Sequence, residues 1–303
     1  MVGLATLMLL ERDSMILTEP IRKKIMLRLG LVVAVGLLAI PTATAAPKAE
    51  LWSRWQKNDP TNKQKIDHSF WDGFLRNYLL APHPSGINRV RYQPVGDEDR
   101  KALKGYLQML QSLPISNYNR TEQKAYWINL YNALTVELII SRYPVASIRD
   151  INISPGLFVR GPWGAKLLTI EGEKLSLDDI EHRILRPIWK DNRVHYAVNC
   201  ASLGCPNLQP ASYTGDNMES LLEKGAREYV NHPRGVAVKS GKLVVSSIYV
   251  WFQEDFGGSA EGLMEHWRKY ANGTLTEALT SYSGGLDHDY DWRLNGEESK
   301  PQP

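Results

Sequence analysis

One segment constrains this chain more than any other: about Thr121 to Arg142 reads as a single long helix. Its apolar positions, among them Ala125, Tyr126, Leu130, Ala133, Leu134 and Leu138, recur at helical spacing, and Tyr143-Pro144 closes it. Its aromatic residues are most simply core packing. Around this helix the pattern changes often. Asp97 to Leu113 reads as a second helix, opened by Asp97, Glu98 and Asp99 and stopped by Pro114. Ser176 with Asp179 signals the cap of a helix reaching Leu185, ended by Pro187. Asp216 to Asn231, Trp251 to Phe256 and Glu261 to Ala271 are helical, as is much of the aromatic stretch from Glu50 to Leu80; Ala81 to Gly86 is a loop. Strands are expected at Lys166 to Ile170, turning at Glu171 to Lys174, and at Val194 to Val198, with a hairpin over Gly235 to Ser246 turning at Ser240-Gly241. Strands scattered irregularly among helices imply an α+β fold, with several helices packed on a small, mostly antiparallel sheet.

The N-terminus reads as a secretory leader. Arg22, Lys23, Lys24 and Arg28 precede an apolar run from Leu29 to Ile40, and Ala43-Thr44-Ala45 offers a small-x-small cleavage pattern. The apolar run is roughly a dozen residues, short of the roughly 20 needed to span a bilayer. Residues 1–45 are therefore assigned to a signal peptide with an upstream extension, and 46–303 to a single α+β domain with a helical arm over 50–113. The expected location is periplasmic or secreted, with no membrane span after cleavage. The leader carries Arg12, Arg22, Lys23, Lys24 and Arg28 against Glu11, Asp13 and Glu19; of 36 basic and 33 acidic residues the remainder keeps 31 and 30. Near-neutral charge leaves no electrostatic footprint for nucleic acid. The apolar fraction of 43% and nine tryptophans argue for a real core.

The densest concentration of reactive groups is Val194 through Pro206, where the expected strand delivers a turn bearing both cysteines, Cys200 and Cys205. Free backbone N–H groups in such a turn lower a thiol pKa from about 8.5 toward neutrality. Three readings of the pair stand side by side: a nucleophilic Cys200, a structural Cys200–Cys205 disulfide, or two inert buried thiols. A base is needed for the first. His195, five residues from Cys200, points to the opposite face of an extended strand and lies about 16 Å away. His182, from a neighbouring helix, is better placed. Asn129 and Asn132 share one face of the long helix and are candidates to orient that imidazole, while amides of the turn after Cys200 would stabilise an oxyanion. Asn199, Ser202 and Tyr131 are the expected substrate contacts. The acidic tail holding Asp287, His288, Asp289 and Asp291 is better explained by Tyr290 and Trp292 docking the C-terminus than by a metal, and no zinc motif occurs. Neither metal nor cofactor is expected.

Taken together, Ala125 to Ala133, Ile180 to Arg186, Val194 to Pro206, Trp251 to Phe256 and Tyr290 to Asn295 resemble the family catalogued as domain of unknown function 547, over about 118–295. The resemblance implies that His182 and Cys200 matter more than His195 or Cys205, and so favours Cys200 with His182 as a working pair. It resembles the economy of cysteine-peptidase-like and transglutaminase-like sites in roles only. The resulting expectation is a cysteine-dependent acyl-transfer enzyme, hydrolase or transferase. Its rival is a non-catalytic domain, stapled at Cys200–Cys205, that binds a peptide or envelope component through an aromatic groove.

Overall fold

A computed structural model describes residues 47–156 and 159–297. The expected leader lies outside the described residues. The described residues form one compact unit. Helices and small sheets make it an α+β fold.

The centre is helix α3 (Arg120–Arg142), which follows α1 (Ser69–Tyr78) and α2 (Asp97–Ser112). The side chain of Asn119 accepts from the backbone of Thr121 and Glu122 and so caps its N-terminus. The expected apolar stripe is too narrow a description. Every residue from Glu122 to Val136 is buried, so α3 is wrapped on all sides. Its polar side chains survive there because each meets a partner. Gln123 donates to the carbonyls of Lys57 and Ile115, and Lys124 pairs with Asp191 at 2.8 Å.

Two hairpins turn as the sequence indicates. β3 (Leu168–Ile170) and β4 (Glu173–Leu175) are joined by Glu171-Gly172 with φ of 46° and 84°. β5 (Val236–Lys239) and β6 (Lys242–Ser246) are joined by Ser240-Gly241 with φ of 50° and 76°. Two consecutive positive φ values match the right-handed twist of the flanking strands. A further pair, β1 (Leu79–Leu80) and β2 (Arg89–Val90), is also antiparallel, whereas β7 (Leu286–Asp289) adds to β6 in parallel. Among the described residues no helix is long and apolar enough to cross a membrane.

Four local expectations are corrected. Val194–Ala197 is a short helical turn, α5, rather than a strand. All six residues from Val194 to Asn199 are buried, so an apolar run of this length carries no usable period. Second, the Ser176–Asp179 capping box forms, with Asp179 N–H donating to Ser176 Oγ and Ser176 N–H to Asp179 Oδ2. Yet the helix passes through a π-helical stretch, Asp179–Leu185, and on past Pro187 into α4 (Arg186–Trp189). Pro187 has no N–H for the carbonyls one turn back. Those of His182 and Arg183 accept instead from Glu50 and Trp52, at 2.9 and 3.0 Å. Third, this N-terminal segment is mostly irregular, with a 3₁₀ turn at Ser53–Gln56 before α1. Fourth, the helix expected at Trp251 starts earlier, as α7 (Ser247–Trp251), because Ser246 caps it; a 3₁₀ turn, Gln253–Phe256, follows. The remaining helices are α6 (Met218–Val230), α8 (Ala260–Tyr270) and α9 (Gly273–Ser281).

Candidate functional site

The turn after α5 is held from both sides. Asn132 of α3 donates to Ala197 O and accepts from Asn199 N–H, at 2.9 and 2.8 Å. From the other side, Leu203 and Gly204 donate to Arg293 and Asp291, and Asn295 donates back to Ala201. Between these clamps Asn199 Oδ1 accepts from Ala201 N–H at 2.9 Å, while Ala201 adopts φ of 57°. A left-handed alanine costs roughly 1–2 kcal/mol and persists only where its surroundings impose it. The strained residue directly follows Cys200.

This clamp brings the C-terminal segment onto the thiol. Tyr290 Oη lies 3.0 Å from Cys200 Sγ and 2.9 Å from Ser202 Oγ, which is itself 3.3 Å from the sulfur. Cys205 Sγ accepts from Cys200 N–H at 2.9 Å, and both cysteines are free thiols. Donation from Cys205, joined by Ser202 and Tyr290, outweighs burial and lowers the Cys200 pKa, whereas burial pushes Cys205 well up. Of the two, Cys200 is the more readily ionised thiol. The amides of Ala201, Leu203, Gly204 and Cys205 already have acceptors, so an oxyanion hole built from them is not what this turn offers. The hydroxyls of Ser202 and Tyr290 converge on Cys200, with Ser202 donating to Tyr290, whose own O–H is left to reach the sulfur.

An aromatic layer covers the thiol. Trp251 and Trp292 pack on Tyr290 with centroids 4.9 and 4.6 Å away, and Trp163 meets Trp292 edge-on at 5.7 Å. All four rings are half-buried. Phe252, next to Trp251, stacks on His195 at 4.4 Å and approaches His182 at 5.6 Å.

Behind Phe252 is a buried charge network that sequence reasoning missed. With the strand replaced by a helical turn, His195 no longer projects from an extended segment. Its Nε2 lies 2.6 Å from Asp255 and its Nδ1 3.6 Å from Glu181. Burial opposes charge on His195, but the two carboxylates outweigh it and raise its pKa. Burial also opposes ionisation of Asp255 and Glu181, yet their cationic neighbours hold each at about 2. Arg186 binds Asp255 at 2.5 Å and donates to His182 Nδ1 at 3.1 Å. His182 Nδ1 is therefore the acceptor, and Nε2–H faces Asp178 at 3.6 Å. Burial lowers His182 to about 4 and raises Asp178 to about 6. Arg186 and Asp255 also line a cleft of about 460 Å³, with Leu51, Lys190 and Asp191.

The remaining expected site residues fall as follows. Asn129 exchanges both amide bonds with the backbone of Tyr213, at 2.7 and 2.9 Å. Like Asn132 it braces a neighbouring loop, and the polar partners of His182 are Arg186, Asp178 and Glu181. Tyr131 is 1% exposed and Asn199 4%, so both lie beneath the turn rather than on a substrate-facing surface. Among the described residues no cluster of His, Cys, Asp and Glu is arranged to hold a metal; His288 bonds Ser247 at 2.9 Å.

No curated protein and no solved structure matches the chain. A family model does, over 115–230, from the turn before α3 through both cysteines to the end of α6. Asp255 and Tyr290 lie beyond that span. The matched segment holds the central helix, His182, His195 and the Cys200 turn in one continuous stretch, and through it the chain is similar to the family described as Protein of unknown function, DUF547.

Proposed function

We propose that this protein is a cysteine-dependent acyl-transfer enzyme, a hydrolase or transferase, working in the periplasm or outside the cell. The observation that carries the reading is the convergence of Ser202 and Tyr290 on Cys200 Sγ, with Cys205 Sγ held against the Cys200 N–H, at a half-buried position next to a strained turn. Such an arrangement favours a thiolate, the nucleophilic form. In the first step the sulfur attacks a carbonyl carbon; the C–S bond forms as the carbonyl pair moves onto oxygen, which accepts from Tyr290 or Ser202. Collapse expels the leaving group, which takes the proton that the Cys200 thiol gave up, with His182 as its proposed carrier. Water or an acceptor alcohol or amine then attacks the thioester and releases Cys200. Asn132 and Asn129 serve by bracing the turn and its neighbouring loop, and Asn199 by shaping it.

The test is labelling by a thiol-directed acyl probe. Cys200→Ser is expected to abolish it and Cys205→Ser to retain it; labelling that persists at a residue other than Cys205 in the first variant overturns the reading. The half-exposed layer of Trp163, Trp251, Tyr290 and Trp292 favours a second reading, a non-catalytic domain that binds a peptide or envelope component. On that reading Cys200→Ser leaves ligand binding intact. Export is tested by the N-terminus of the mature protein, expected at Ala46; an intact leader on protein from the cytoplasm refutes it.

A further inference from the structure

Arg89 of β2 is 1% exposed, and its Nε and Nη1 have no hydrogen-bond acceptor among the described residues. A guanidinium cannot shed its proton in a protein, so burial without a partner leaves an uncompensated cation. Its charged surroundings are Arg234 and Arg293, which repel it, and Asp291, which attracts it. Asp291 is already committed to Arg293, at 2.5 Å. Arg234 is no better matched. Its two terminal nitrogens donate to neutral acceptors, Leu203 O at 3.0 Å and Asn207 Oδ1 at 2.7 Å, and its Nε also lacks a partner. Glu228, the carboxylate that acts on Arg234, is shared among Asn207, Gln209 and Lys224.

The two arginines are tied to one scaffold. Asn207 Oδ1, which receives Arg234, also accepts from the N–H of Asn88, the residue before Arg89, at 3.0 Å. Val90 donates to Asn295, Asn295 to Ala201, and Leu203 to Arg293, so three chain segments lie side by side around the pair. Arg234, Arg293 and Asp291 are half-buried, whereas Arg89 is enclosed. A buried cation with free donors beside a second under-partnered one is what a bound oxyanion needs, because the guanidinium fork matches two oxygens on one centre.

We propose that Arg89 and Arg234 form a binding site for the oxyanion of a ligand, a carboxylate or a phosphate group. Neither arginine shares a hydrogen bond with the Cys200 thiol, although Arg234 holds the carbonyl of Leu203 in the same turn. It also explains why a charge is kept at a buried position where an apolar residue of similar volume would be tolerated.

The experiment measures thermal stability of the mature protein against inorganic phosphate and, separately, acetate, each compared with sodium chloride at matched ionic strength. Wild type is expected to gain a few degrees in Tm with at least one of the two anions, and which one acts identifies the group. Arg89→Met is expected to melt at or above the wild-type temperature without anion and to lose the anion response. If Arg89→Met does not accumulate in folded form, Arg89→Lys keeps the charge without the fork and is expected to weaken anion binding about tenfold. No gain over chloride with either anion overturns the proposal, as does an unchanged response in whichever of the two variants folds.

Discussion

At the scale of the residue, the state of Cys200 is set by its hydrogen-bond partners rather than by a histidine. Cys205 is the largest contributor to its lowered pKa, with Ser202 and Tyr290 behind it. A charge-assisted hydrogen bond of roughly 1.5 kcal/mol corresponds to about one pH unit. Removing Cys205 as Ala is therefore expected to move the alkylation midpoint of Cys200 upward, and Tyr290→Phe to move it by less. A pH–rate profile of alkylation reads both; an unmoved midpoint in Cys205→Ala would show that Cys205 does not set the state of the thiol. Tyr290 illustrates what spacing leaves out. It lies 90 residues from Cys200 and touches its sulfur only because the C-terminal segment pairs with the turn.

At the scale of the element, the π-helical stretch is a joint accomplishment of two distant segments. In isolation Pro187 ends a helix, because the carbonyls behind it lose their donor. Here Glu50 and Trp52 supply the missing N–H groups, and Arg183 lies over the Trp52 ring at 4.5 Å. The expectation is that Trp52→Pro, which removes one donor, destabilises the protein by about 1–3 kcal/mol, the penalty for an orphaned buried acceptor. Trp52→Ala is the control for ring loss alone. Pro187→Ala restores a local N–H, so combining it with Trp52→Pro should recover part of the loss. Urea melts of the four proteins decide it, and strict additivity would mean that the two segments are not exchanging donors.

At the scale of the whole molecule, burial of neutral imidazoles gives the fold a definite acid limit. His68, His182 and His266 are each buried, and burial lowers all three to about 4 from 6.5. A base whose folded value is depressed binds protons better when unfolded. Stability is thus full above about pH 6.5 and falls as pH drops toward 4, by on the order of 1–3 kcal/mol per histidine. His195 is raised, so its contribution is complete below 6.5 and is lost only as pH rises through its folded value. Asp178, raised to about 6, works against the trend, but its side chain is 39% exposed and water screens it. Denaturant melts at pH 7 and pH 5 should show lower stability at pH 5; equal or higher stability there would mean that the histidines are not held neutral.

Much of the architecture follows from local chemistry that the chain carries with it. The long helix over 120–142, the acidic opening of α2 and both hairpin turns are legible because periodicity, caps and left-handed turn residues act over a few neighbours. The concentration of cysteine, asparagine and serine at the turn around Cys200 is legible too. Tertiary structure alone decided the rest. Val194–Ala197 coils because burial on every side erases the alternation that would mark a strand, and that coil carries His195 onto Glu181 and Asp255. The helix crosses Pro187 because a segment more than 130 residues earlier satisfies its carbonyls. Asn129 and Asn132 share a helical face as their spacing requires, yet what they hold, the backbone at Tyr213 and around Ala197, depends on which loops the fold lays against α3. Hydrogen-bond partners at long separation are chosen by packing, and no local pattern encodes that choice.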